Sequence, residues 1–364
     1  MKRCLPFRIV AVAIIFTHLF IVCFRDVSFA GSEPIAKDIS SDNIDFEKLG
    51  RIPDTVGHGS KQLPSPAPDD PSNRKPSSDN SLSGTFFQKD THSPSDRFNR
   101  ILESVSADLF TGSLKLNIPI SLPAGKRDIL PPLNIAYSSS SANGLLGVGW
   151  SLELGSINRS LKKGVPKYDS SDVFTADSQE LTGIGSGEYR NKIEGAFIKY
   201  TYDGTAWQAV DKSGTKYFFG SASGSRVTVS QGTFSWALDK ILDKRGNYLS
   251  ISYIQEENNL YPSTIFYTAN ENTGLSAKNK VVFSYEIRPD VVISYIIGAR
   301  VEKEKRLSRI EVYFDDGLVR KYSFEYTKGG STQRSLLSEV NQYGSDGTTA
   351  LPSITFSYRS NGGG

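Results

Sequence analysis

Cysteine and histidine are scarce in this chain of 364 residues, and their positions exclude more than their number does. Both cysteines, Cys4 and Cys23, and all three histidines, His18, His58 and His92, precede Asp96. From Asp96 to Gly364 there is therefore no disulfide and no Cys–His or Ser–His–Asp nucleophile. Any zinc site there would need carboxylates alone. A dominant charge sign is missing as well: 42 Lys and Arg against 39 Asp and Glu leave a net charge of +3, which gives no electrostatic reason to expect nucleic acid. Long amphipathic helices are also absent beyond Asp96, where only Arg97 to Ser104 carry the pattern of a short one.

What is present begins with an N-terminal targeting pattern. Lys2 and Arg3 precede an apolar run from Ile9 to Phe24, and Ser28-Phe29-Ala30 precede Gly31. Residues 1–30 read as a secretory signal peptide cleaved after Ala30, because the apolar run is shorter than the roughly 20 residues of a spanning helix. Membrane contact is then confined to export, and no small residue precedes Cys23 as lipidation would require. Residues 31–95 turn to Ser, Pro, Asp and Asn, with Pro64, Pro66, Pro68, Pro71 and Pro76 crowded together. So few large apolar side chains cannot offset chain entropy, and this stretch reads as a disordered linker. Residues 96–364, about 270 in all, suffice for a sizeable core without disulfides.

Within 96–364 the pattern is period two. Val105 to Leu109 lead into Leu114, Leu116, Ile118 and Ile120, which alternate with mostly polar positions, and Leu133, Ile135 and Tyr137 repeat the arrangement after Pro131-Pro132. Phe197 to Tyr202, Trp207 to Val210 and Lys216 to Gly220 are separated by Asp203-Gly204 and Ser213-Gly214, which are hairpin signals. The C-terminal half repeats a looser unit, in which an apolar strand, a charged turn and a strand ending in Tyr follow one another. Trp236–Tyr253 and Leu307–Tyr326 are copies, and Leu336–Tyr358 is a third. The fold class is all-β: successive antiparallel hairpins forming a large curved sheet or partial β-shell.

The densest motif is Asn143 to Ser160, NGLLGVGWSLELGSINRS. Gly144, Gly147 and Gly149 permit close backbone approach, and Trp150, Leu152 and Leu154 then share a face, so a glycine turn feeds a strand. Asn143, Gly144, Gly147, Gly149, Trp150 and Arg159 are taken as a structural motif, with Trp150 as packing anchor. The glycines fail as a phosphate loop, since Leu152 stands where a dinucleotide fingerprint needs Gly or Ala. Gly183-Ile-Gly185-Ser-Gly187 lacks a P-loop lysine and reads as a turn, as do Asp243 to Asn247 and Asp315-Asp316-Gly317. Glu302-Lys303-Glu304 has the spacing of an ADP-ribosyltransferase acidic pair, but its setting, Glu302 to Arg306, reads as a solvated charged turn. No catalytic, cofactor-binding or metal-ligating residue is assigned.

The order of Leu114 to Pro119, Pro123 to Lys126, Leu130 to Ser139, the NGLLGVGWSL run, Ile157-Asn158-Arg159, Tyr261 to Tyr285 and Phe356-Ser357-Tyr358 resembles the SpvB N-terminal domain family. That family is shared by SpvB-type virulence proteins and the B subunits of bacterial toxin complexes, and the resemblance covers roughly residues 95 to 360. The C-terminal copies also resemble the Tyr-Asp hairpin repeats of the RHS class. The resemblance implies a secreted, non-enzymatic module of a toxin or virulence protein. Such a module builds part of a β-shell around a toxic cargo, with the remaining shell or toxin-complex subunits supplied in cis or in trans. In SpvB proteins the transferase domain lies further C-terminal, so a fragment or a subunit completed in trans is expected. The alternatives are an adhesin or carbohydrate-binding module that meets a host-surface ligand through exposed Tyr and Trp, and a carboxylate-only enzyme such as an ADP-ribosyltransferase. The implied location is extracellular, or the host-cell cytoplasm after delivery.

Overall fold

Alternating apolar side chains and two-residue turns build nearly all of the regular structure. The computed structural model describes residues 105–107, 111–126 and 129–358. The expected signal peptide (1–30), linker (31–95) and short helix (97–104) lie outside the described residues, which all belong to the compact unit Ser77–Gly364. Among them, a 3-10 turn at Ser223–Ser225 is the single helical element.

A small antiparallel sheet comes first. It orders β1 (Ser106–Ala107), β2 (Leu114–Pro119), β3 (Asn134–Ser138) and β6 (Trp150–Leu152), while β4 (Asn143–Gly144) and β5 (Gly147–Val148) form a separate miniature hairpin ahead of β6. Alternation buries Ile118 and Ile120, whereas Leu114, at the sheet's end, is 45% exposed.

Eight strands then close on themselves. β7 (Ser156–Arg159), β8 (Phe174–Ala176), β9 (Gln179–Gly185), β10 (Glu188–Asn191), β11 (Lys199–Tyr202), β12 (Trp207–Val210) and β13 (Lys216–Phe219) pair in chain order. After the short β14 (Arg226–Val229), strand β15 (Gly232–Leu242) pairs with β13 through residues 238–242 and with β7 through residues 235–237. The ring is thus an antiparallel barrel without a free edge. Its interior is aromatic: Phe174, Tyr189, Tyr202, Trp207 and Trp236 have neighbouring ring centroids 4.7 to 6.1 Å apart. Side chains of this size fill an eight-stranded barrel and leave it a packed core.

From β15 the chain continues as a meander of long strands: β16 (Asn247–Glu256), β17 (Asn259–Asn270), β18 (Asn279–Ser294), β19 (Val301–Phe314), β20 (Gly317–Lys328), β21 (Ser335–Tyr343) and the two-residue β22 (Ile354–Thr355). Two-residue turns at Glu257-Asn258 and Asp315-Asp316 hold both residues at positive φ, the geometry that matches strand twist. The all-β hairpin architecture read from the sequence therefore holds.

Two local readings are corrected. Gly183 and Gly185 belong to β9, and the turn is confined to Ser186-Gly187. Glu302 to Arg306 is interior to β19. Its charges suit a strand because neighbours meet them: Arg300 pairs with Glu302 at 2.7 Å, Lys305 with Glu256 and Arg306 with Glu286, both at 2.6 Å.

Candidate functional site

The glycine-rich motif docks where the small sheet meets the meander. Gly147 sits at φ +93°, and a Cβ there would stand 2.5 Å from the Ser335 carbonyl oxygen. Gly149, at φ +82°, would drive a Cβ to 2.5 Å from the Tyr137 ring. Both positions therefore need glycine for conformation and for space. The tip of this hairpin is tied in by the Leu307 N–H, which donates to the Leu145 carbonyl at 2.9 Å.

A buried ion pair receives the hairpin. β18 leaves its ladder with β19 between Ile287 and Val292, which frees Arg288 and Asp290 to turn inward. Arg288 Nε lies 3.1 Å from Asp290 Oδ1, Nη2 donates to Asn143 Oδ1 at 2.6 Å and Nη1 to the Gly144 carbonyl at 3.2 Å. Asn143 Nδ2 donates to Asp290 Oδ2 at 2.9 Å, and the Ser335 N–H donates to the same oxygen at 2.7 Å. The Ser335 hydroxyl donates to Asp290 and accepts from Arg306 Nη1 at 2.8 Å. Burial pushes the Asp290 carboxyl upward, but the hydrogen bonds from Arg288, Ser335 and Asn143 outweigh it and hold its pKa well below the usual range. Such a pair adds specificity of register more than net stability, and breaking it is costly.

Trp150 extends the contact to the end of the sheet. Its ring packs 5.0 Å from Tyr137 and 4.8 Å from Phe356, and its Nε1 donates to the Tyr358 hydroxyl at 3.0 Å. Tyr358 in turn donates to the Leu337 carbonyl at 2.8 Å. This repeats along the meander: Tyr253 donates to the Leu238 carbonyl at 2.7 Å, Tyr285 to Pro262 at 2.6 Å and Tyr326 to Leu307. Tyr253, Tyr285 and Tyr326 each stand at a register shift, where the bulge frees a carbonyl from the ladder. Burial raises the pKa of all four phenols, so they stay protonated donors.

Arg159 belongs to a different place. It lies against the barrel, donating from Nε to the Thr233 carbonyl at 2.9 Å and pairing with Asp172 at 2.8 Å. Its guanidinium stands 5.1 Å from the Phe174 ring centroid and 5.2 Å from Tyr168. The six motif residues thus serve two nodes: Asn143, Gly144, Gly147, Gly149 and Trp150 dock the small sheet on the meander, and Arg159 covers barrel aromatics. Sequence reading passed over Arg288, Asp290 and Ser335. The signal was Pro289, since a proline inside a strand run marks a bulge.

Glu302 and Glu304 share a face of β19 opposite Lys303, and it is Lys303 that lines the chain's large cavity. Trp150, Trp207 and Trp236 are all buried, so none offers a stacking platform at the surface. Among the described residues no group of three or more His, Cys, Asp or Glu is placed to hold a metal ion.

Comparison with known proteins agrees with this architecture. The SpvB family model, described as Salmonella virulence plasmid 65kDa B protein, matches residues 109–194 and 186–287. Mono(ADP-ribosyl)transferase SpvB of Salmonella choleraesuis (strain SC-B67) is 27% identical over 178 residues, and that of Salmonella typhimurium is 26% identical over the same length. These alignments cover 40% of this chain and 30% of each relative, so the chain spans under a third of the curated relatives it matches. The N-terminal domain of effector protein SpvB from Salmonella typhimurium strain LT2 superposes with a TM-score of 0.54 at 19% identity, covering 62% of this chain and 98% of that one. TcdB2-TccC3 gives 0.59 at 18% identity over 70% of this chain and 16% of that one. The Photorhabdus luminescens Tc holotoxin pore gives 0.61 at 18% identity over 68% and 16%. At these identities the structural matches show a common fold. Residues 109–287 thus form an SpvB-family segment, and the hairpin architecture that contains them is the fold of the SpvB N-terminal domain.

Proposed function

We propose that the chain is a non-enzymatic structural module of a toxin or virulence protein, a stretch of wall in a β-shell that encloses a toxic cargo. The observation that carries this reading is the fold shared with TcdB2-TccC3 over 70% of this chain. Two features support it. Five of the six motif residues are spent on joining sheets, and the last strand of the meander among the described residues, the two-residue β22, is paired on one side only, by β21. The partners are then the remaining shell or toxin-complex subunits, in cis or in trans. Export through residues 1–30, with residues 31–95 as a tether, belongs to the same proposal.

The test is NAD turnover, because the curated relatives are named for ADP-ribosyl transfer. The purified chain is expected to consume no NAD, with or without acceptor protein. Specific turnover that disappears in Glu304→Gln overturns the reading.

A further inference from the structure

A cavity of about 1020 Å³ lies between the barrel, the β6–β7 connection and the outer half of the β18–β19 hairpin. Its size is at the upper end for small-molecule sites. Its walls mix polar and apolar groups, and Leu152, Leu154, Phe234, Leu260 and Val292 supply much of the apolar part. At its open side Ile296 is 56% exposed, whereas Ile293, 49% exposed, pairs in register with Glu302 and so faces away from Lys303.

Two hydrogen-bond donors in this cavity lack acceptors. Lys303 pairs in register with Val292, so both side chains project to the same face of the hairpin, into the cavity. Arg300, Lys305 and Arg306 around it all have carboxylate partners, yet among the described residues no hydrogen bond or ion pair reaches the Lys303 amine. Burial first, and the Arg288 charge second, lower its pKa, as expected for an ammonium with no counter-ion. The second donor is Asn259 Nδ2, which is buried and without a partner. The Glu302 N–H donates to the Glu257 carbonyl at 3.0 Å and the Glu304 N–H to the Tyr261 hydroxyl at 3.1 Å, so Lys303 and Asn259 stand on abutting strands. The three acidic groups of the cavity do not answer them: Asp290 is held by Arg288, Ser335 and Asn143, Asp177 lies in the β8–β9 turn of the barrel, and Glu153 is exposed on the β6–β7 connection, none with an ion pair to Lys303.

We propose that this cavity binds a free long-chain carboxylate. The carboxylate accepts from Lys303 Nζ and Asn259 Nδ2, and the alkyl chain lies along Leu152, Leu260 and Val292 toward Ile296. An unpaired cation and an unpaired amide donor in a wall shared with Leu152, Leu260 and Val292 select that chemistry, because a neutral apolar ligand would leave both donors desolvated and unpaired.

Titration calorimetry of the full chain with dodecanoate, below its micelle concentration, tests this against dodecanol, which keeps the alkyl chain and loses the charge. Dodecanoate is expected to saturate one site per chain. Lys303→Met should weaken it about tenfold or more, the scale of one charge-assisted hydrogen bond. Dodecanol should bind more weakly and be indifferent to that substitution. Lys303→Met should also raise the melting midpoint, since it removes an unpaired cation from an apolar wall, so weakened binding is not a folding defect. Asn259→Leu should weaken dodecanoate independently. Absence of saturable dodecanoate binding, or binding that ignores Lys303→Met, overturns the proposal.

Discussion

Trp150 meets two demands at once, a ring packed between Tyr137 and Phe356 and an indole N–H that needs an acceptor. Trp150→Ala is expected to cost about 3 to 5 kcal/mol in urea denaturation, the range for large aromatic truncations in a core. An unchanged unfolding transition would show that the side chain is a surface ligand contact instead. Asp177 gives a residue-scale prediction of opposite sign. Burial and then the Glu153 charge push its carboxyl up to about 7. The unfolded chain therefore releases this proton from about pH 4 upward while the fold retains it, so stability falls as pH rises from about 4 to 7. Asp177→Asn should abolish that slope and stabilise the chain at pH 8. The gain should be about 1 to 2 kcal/mol, discounted because the side chain keeps some solvent access. Thermal melts at pH 5 and pH 8 check this, and equal gains at both would refute it.

Alternate strands of the meander, β16, β18, β20 and the β22 segment, carry a short signature: LSISY (249–253), VVFSY (281–285), YSFEY (322–326) and ITFSY (354–358). The alternating apolar positions place strands, and the terminal Tyr reaches back to a carbonyl on an adjoining strand. Tyr326→Phe keeps the shape but leaves the Leu307 carbonyl without that donor, for an expected cost of about 1 to 3 kcal/mol. Tyr295→Phe, at the exposed tip of the β18–β19 hairpin, should cost almost nothing, and similar losses at both positions would show that the phenol bond is immaterial. Hairpins were legible because Asp203-Gly204, Gly246 and Asp315-Asp316 carry turn chemistry in a few adjacent residues. Glu302 to Arg306 misled because a charge run looks the same in a turn and in a strand. Its partners Glu256 and Glu286 lie on other strands, invisible to local pattern.

For the whole molecule, the outer edge of β22, the last strand of the sheet among the described residues, is the feature with consequences. A last strand paired on one side only leaves its outer backbone donors and acceptors available, so the purified chain should self-associate with rising concentration in analytical ultracentrifugation. A monomer at every concentration would argue for a closed, autonomous module. Residues 31–95 should be cut first in limited proteolysis, with a core beginning near Asp96 surviving, and equal protection of Pro64 to Pro76 would defeat the linker reading. The sequence by itself determined the all-β class, the hairpin order and the glycine and tryptophan positions where backbones must approach closely. These are set by residue size, φ preference and period-two burial, properties of a few neighbouring residues. Only the tertiary structure decided that β15 joins both β7 and β13, that Arg159 parts company with Trp150, and that Arg288 and Asp290 meet Asn143 from about 145 positions away. Many strands could satisfy the same edge, and the choice among them rests on long-range hydrogen bonds and shared burial, which no local pattern encodes.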